Sequence, residues 1–142
     1  MKSARFTVRG IPASKGSPKF GRNRRTGGRH MIPQSQRLID WTAAIVLSAR
    51  ATHVHFEAGE AVALSVVFRI PARRGETPGQ RCTRPADLDK LLRGLFDAIQ
   101  HAGMVVDDAQ IAGVQATKWV AMPGDEGATV DVWPAVDVWP AK

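Results

Sequence analysis

The sequence predicts an α+β fold of one domain, a mixed β-sheet covered by two main helices. Three features lead there: a stretch with strict period two, two stretches with helical period, and their order of strand, helix, strand, helix, then strands. With 142 residues, 44% of them hydrophobic, the chain holds enough apolar material for a single core, so residues 1–142 read as one domain.

Ala4 to Arg9 alternate, with Phe6 and Val8 on one face, and form a short first strand. Gly10 to Gly28 is rich in Gly, Pro, Lys and Arg and reads as a basic loop, extending to about residue 30. Pro33 and Ser35 open a helix to about Arg50, with Leu38, Trp41, Ile45 and Val46 on its buried stripe. Val62 to Ile70 is the clearest strand, Val62, Leu64, Val66, Phe68 and Ile70 sharing a face. Pro71 to Pro85 is a second loop carrying Arg73, Arg74, Arg81 and Arg84. The second helix has Leu88, Leu91, Leu92, Leu95, Phe96, Ile99 and Ala102 on one stripe, Asp87 at its N-cap and Gly103 at its stop. A short apolar run, Met104 to Val106, leads into Asp107-Asp108. Strands at Ile111–Val120 and Ala128–Trp133 follow, separated by a turn at Pro123-Gly124. The tail repeats Val130-Asp131-Val132-Trp133-Pro134-Ala135 without error as residues 136–141. Six residues are too few for a solenoid unit. Trp139 reads as strand-end packing, with base stacking as the other option.

The formal net charge is +7 and the pI about 10.5, which implies an anionic partner. Ten Lys or Arg residues precede Asp40, the first acid in the chain. Within that half, Lys15, Lys19, Arg22, Arg24, Arg25 and Arg29 interleave with short residues that let a backbone approach phosphates. The alternative is a solubilising segment; the absence of any acid favours nucleic acid. The lone Cys82 excludes an internal disulfide, and no Cys/His spacing fits zinc. No apolar stretch reaches the ~20 residues of a membrane span, so the expectation is a cytoplasmic protein without a membrane partner.

The acids offer two readings. Asp87 and Asp89 flank a helix start, and Asp107-Asp108 sit on a turn able to fold back toward that helix's polar side. Gathered carboxylates repel unless a hard divalent ion joins them, and oxygen-only donors point to Mg²⁺ or Mn²⁺. A water on such an ion is a nucleophile for a phosphodiester. The plainer reading makes Asp87 a cap and Asp-Asp an ordinary turn. Likewise Asp89, Arg93 and Asp97 form either a solvated salt-bridge ladder or, with Arg93, a group stabilising charge on phosphorus.

Arg84-Pro85-Ala86-Asp87-Leu88-Asp89-Lys90-Leu91-Leu92-Arg93, continuing to Asp97 and Ile99, followed by Gly103 and then Asp107-Asp108-Ala109-Gln110-Ile111, resembles the signature of RusA-type crossover-junction endodeoxyribonucleases. That signature runs P-D-L-D-N-L-x-K-x-x-x-D-x-L, then G-x-x-x-D-D-x-Q-I. Phe6 to Pro12 and Lys15-Gly16 are similar to the family's opening, and Lys118 falls where members often have a lysine. The resemblance implies a RusA-like homodimer that cuts four-way DNA junctions with Mg²⁺, Mn²⁺ substituting, and a bacterial or phage source. It implies Asp87, Asp89 and Asp108 as the essential metal-binding acids and Asp107 as auxiliary; Lys118, with Arg73 and Arg74 of the second loop, joins the basic arm as a candidate DNA contact. A broader branched-DNA or flap nuclease and an inactive DNA-binding module are the alternatives. The chain departs from the pattern at Ala86, at Lys90 in place of Asn, and at Arg93 in place of Lys. Arginine keeps the charge but cannot give up a proton, so Lys90 becomes the candidate for the compact ammonium.

Overall fold

A computed structural model describes residues 2–16, 20–31 and 34–135. The main strands are β1 (Ala4–Arg9), β4 (Val62–Ile70), β5 (Ile111–Val120) and β6 (Gly127–Pro134), and the helices are α1 (Gln36–Arg50) and α2 (Leu88–His101). A short hairpin, β2 (Phe20–Arg22) with β3 (Arg29–Met31), pairs only with itself. The sheet order is β1-β6-β4-β5, with β4 and β5 parallel and the other pairs antiparallel, so the sheet is mixed as expected.

Period two decides which face is buried. Val62, Leu64, Val66, Phe68 and Ile70 of β4 are buried, as are Phe6 and Val8 of β1 and Val130 and Val132 of β6. Their neighbours on the opposite face are half-buried or exposed. Onto the apolar face pack Trp41, Ile45 and Ala49 of α1 and Leu91, Leu95 and Ile99 of α2. Each fully buried Leu or Ile contributes roughly 1.5–3 kcal/mol.

Both helices end as their sequences dictate. Ser35 Oγ accepts the Leu38 N–H at 3.2 Å, capping α1. Gly103 takes φ +81° after α2, which lets Met104 N–H reach the Ile99 carbonyl at 3.0 Å. Pro33, expected to open α1, lies outside the described residues.

Two expectations need correction. The basic segment is not loop throughout, because β2 and β3 form around a turn in which Asn23 Oδ1 accepts the Arg25 and Thr26 N–H groups. That turn chemistry, not apolar content, closes the hairpin. Ala49, not Val46, completes the buried stripe of α1. The turn expected at Asp107-Asp108 after the Met104–Val106 run is present, as a 3₁₀ turn at Asp108–Gln110 capped by Asp107 that leads into β5.

The first copy of the tail repeat supplies most of β6, while the second, residues 136–141 with Trp139, lies outside the described residues. A six-residue slip would preserve the buried face, since six is even. Gly127 forbids it: its φ is +148°, and a Cβ there would collide with the Val8 carbonyl. The slip would bring Trp133 to that position. Gly127→Ala is therefore expected to cost about 3 kcal/mol or more, read as a lower urea midpoint; an unchanged midpoint would contradict the register lock.

Candidate active site

The second helix turns one polar stripe outward. Asp87 is its N-cap residue by backbone conformation, yet its carboxylate makes no capping hydrogen bond and is 60% exposed, with Lys90 Nζ 3.8 Å away. The cap explains the position of Asp87 and leaves its side chain unused. Asp89 and Arg93 have no ion-pair partner among the described residues, and Asp97 pairs not with Arg93 but with Lys15 Nζ at 2.6 Å. The helical salt-bridge ladder permitted by the spacing is thus not formed.

Lys15 arrives on the segment leaving β1. Its N–H reaches the Lys90 carbonyl at 3.3 Å, and it crosses α2 at Gly94, where a Cβ would lie 3.5 Å from Lys15 Cβ. A larger side chain than alanine there would lift the crossing. The amine of Lys118 donates to the carbonyls of Arg84 at 2.6 Å and Ala86 at 2.8 Å. It thereby holds the backbone immediately before Asp87. The loop itself is pinned by Arg84, which bonds Glu76 at 2.8 Å and also the Pro71 carbonyl.

The second acidic pair is built around Gln110, a buried polar residue. Its Oε1 accepts the N–H groups of Val106 and Asp107 at 2.8 and 3.0 Å, and its Nε2 donates to the carbonyls of Glu57 and Glu60 at 2.7 and 3.0 Å. Asp107 caps the 3₁₀ turn through Ala109 N–H, and Gln100 Oε1 of α2 accepts the Asp108 N–H at 3.1 Å. Gln100 lies eleven residues beyond Asp89, within about 20° of it in azimuth and about 16 Å farther along the axis. The turn therefore docks on the polar stripe carrying Asp89, at its far end. Partial burial, followed by Asp107 and then Asp97, raises the Asp108 carboxyl above its ordinary range.

Among the described residues no three acids converge tightly enough to hold an ion within this single chain. The chemistry of the donors nonetheless fits a hard cation. Asp107 adds to the cost of ionising Asp108, a penalty that a divalent ion removes, and every donor is a carboxylate oxygen.

Of the basic residues, Arg22, Arg24, Arg25 and Arg29 project from the exposed hairpin and its turn. Arg73 and Arg74 are exposed on the 71–85 loop, and Lys19 lies outside the described residues. Lys15 and Lys118 already have internal partners. The roles of Gln110, Gln100 and Asp97 were not drawn from the residue pattern, although Gln110 and Asp97 both stand in the motif.

The family described as "Endodeoxyribonuclease RusA" matches residues 10–132. The chain is also 40% identical over 42 residues to the crossover junction endodeoxyribonuclease rusA of Enterobacteria phage HK97. That match covers 30% of this chain and spans 35% of the length of the phage protein.

Two outcomes follow from this geometry. Gln110→Ala leaves two N–H groups and two carbonyls without their partner and is expected to destabilise the fold by about 2–4 kcal/mol, measured by urea unfolding; a loss below about 0.5 kcal/mol would contradict it. Asp108 has a raised folded pKa, so the native state binds more protons than the unfolded one, and stability is lost as pH rises from the ordinary carboxyl range through the raised value. Asp108→Asn should then raise the melting temperature of metal-free protein at neutral pH and give no gain in strong acid. A lower melting temperature at neutral pH would refute this.

Proposed function

The chain belongs to the RusA endodeoxyribonuclease family, and we propose that it is itself a Mg²⁺-dependent nuclease that resolves four-way DNA junctions by paired nicks as a homodimer. The observation that carries this reading is a line of charges on α2 that the fold leaves unspent: Asp87 without a capping bond, and Asp89 and Arg93 without ion pairs among the described residues. Charged groups that the fold does not consume stay available to a ligand, and like carboxylates beside one another favour a cation.

Asp87, Asp89 and Asp108 would hold the ion, with Asp107 auxiliary and Mn²⁺ an effective substitute. Because the Asp108 turn docks about 16 Å along α2 from Asp89 in one chain, the set would be completed across the dimer. When bound, the ion supplies an activated water and neutralises charge on the phosphate. The protein's own contribution is positional. Lys118 fixes the approach to Asp87, and Gln110 and Gln100 hold the Asp107–Asp108 turn against α2. Arg93 offers a fixed positive charge to the developing phosphorane oxygens but cannot donate a proton. Lys90, beside Asp87, is the compact ammonium able to do so. The hairpin arginines, with Arg73 and Arg74, grip backbone phosphates without reading bases. A junction has two strands to cut and one chain carries one such acid set, so a two-fold dimer matches the substrate.

A synthetic four-way junction incubated with Mg²⁺ should acquire paired, symmetric nicks that EDTA abolishes. Asp89→Asn should lower cutting by on the order of 10²-fold or more while leaving binding intact or tighter. Lys90→Ala should lose more rate than Arg93→Ala. Scattered cuts on flaps would replace the junction specificity with a broader nuclease, and binding without cutting in either metal would make the chain an inactive DNA-binding module.

A further inference from the structure

We propose that a groove at the start of α1, bounded by the segment after β1 and by residues 70–73 and 84–86, seats a backbone phosphate of the DNA, with Arg37 as its main binding group. DNA as the ligand rests on the nuclease reading above.

The groove is a cavity of about 380 Å³ that continues, past the shared Ile11 and Arg37, into a second of about 370 Å³ beside Arg9, Gly10 and Trp41. Arg9, Arg37 and Arg73 face it, and none of their guanidinium groups has an ion-pair partner among the described residues. Arg84 also lines it, but Glu76 neutralises that charge. The acid on the wall is Asp40, which accepts from Gln36 Nε2 at 2.8 Å. Arg9 and Arg37 are thus left in the concavity with Asp40, while Glu76, bound to Arg84, also attracts Arg73.

Such an arrangement repels itself until an anion enters, and concave walls of low dielectric concentrate its field. The hydroxyls of Ser14 and Ser35 line the same cavity and suit phosphate oxygens, while Ile11, Pro12 and Pro71 offer an apolar surface to a sugar edge. Ala86, the residue before Asp87, is part of its wall. A strand seated there would lie beside the head of α2. Arg9 and Arg37 lie outside the basic hairpin, so this site is separate from the exposed arm.

Binding of a fluorescently labelled four-way junction to the full chain in EDTA, between 50 and 200 mM salt, tests the assignment. Arg37→Ala should make the slope of log affinity against log salt shallower by about 0.9. Arg37→Glu should weaken binding further, and Arg37→Lys should recover the slope. Arg50→Ala, at the opposite end of α1, should match wild type, and melting temperatures should confirm that all variants fold. Wild-type slopes for both Arg37→Ala and Arg37→Glu overturn the groove, and if the wild-type chain still cuts in Mg²⁺ the nuclease reading survives alone. A shallower slope in a chain that never cuts retains the groove and removes the nuclease. No DNA binding by wild type at any salt overturns both.

Discussion

The side-chain amide of Gln110 is the constraint on which the candidate site depends. Buried amides are costly unless every donor and acceptor finds a partner, and this one satisfies two N–H groups before the acidic turn and two carbonyls of the 57–60 turn. It joins segments fifty residues apart in the chain. Because β5 begins at the next residue, the same bond network sets where β5 enters its parallel pairing with β4. Asp107 and Asp108 are therefore positioned by the sheet, through a buried polar anchor, and not by a free loop.

Charge placement along α2 follows a similar division of labour. The apolar stripe is consumed by the core, and the polar stripe is consumed only in part. Asp97 is tied to Lys15, whereas Asp89 and Arg93 are not tied to each other although their spacing allows it. Lys15 reaches Asp97 because Gly94 lets the chain pass close over the helix. An exposed i,i+4 pair gains only ~0.3–0.5 kcal/mol, so leaving one unmade costs the fold little and keeps both groups available to a ligand.

Much of the architecture was legible in the residues because period and punctuation agree. The bounds of β1 and β4 follow from alternation, and Ser35, Asp87 and Gly103 mark helix ends where capping physics puts them. The β2–β3 hairpin was not legible, since it has no apolar face and rests on the Asn23 turn. Nor was the sheet order: nothing local announces that β6 inserts between β1 and β4, a matter of long-range pairing fixed partly by the room that only Gly127 leaves beside Val8. The acids were legible as a set and as one side of a helix. Their separation along that helix was not, because it is decided by Gln100 and Gln110, two amides whose partners lie far away in sequence or on another element. Lys15 and Lys118 read as spare cations on charge alone, and their internal partners emerge only from tertiary contacts.

The proposed nuclease turns on one divalent ion shared, across the two-fold axis of a dimer, between Asp87 and Asp89 of one subunit and Asp108 of the partner subunit. Paramagnetic broadening by Mn²⁺, followed on the backbone amides of the isotopically labelled protein, tests this most directly. The account predicts that the amides of residues 87–89 and 107–109 broaden together, at the same Mn²⁺ concentration, and recover together when Mg²⁺ is added in excess. Broadening confined to one end, or spread evenly over the surface carboxylates, would contradict it.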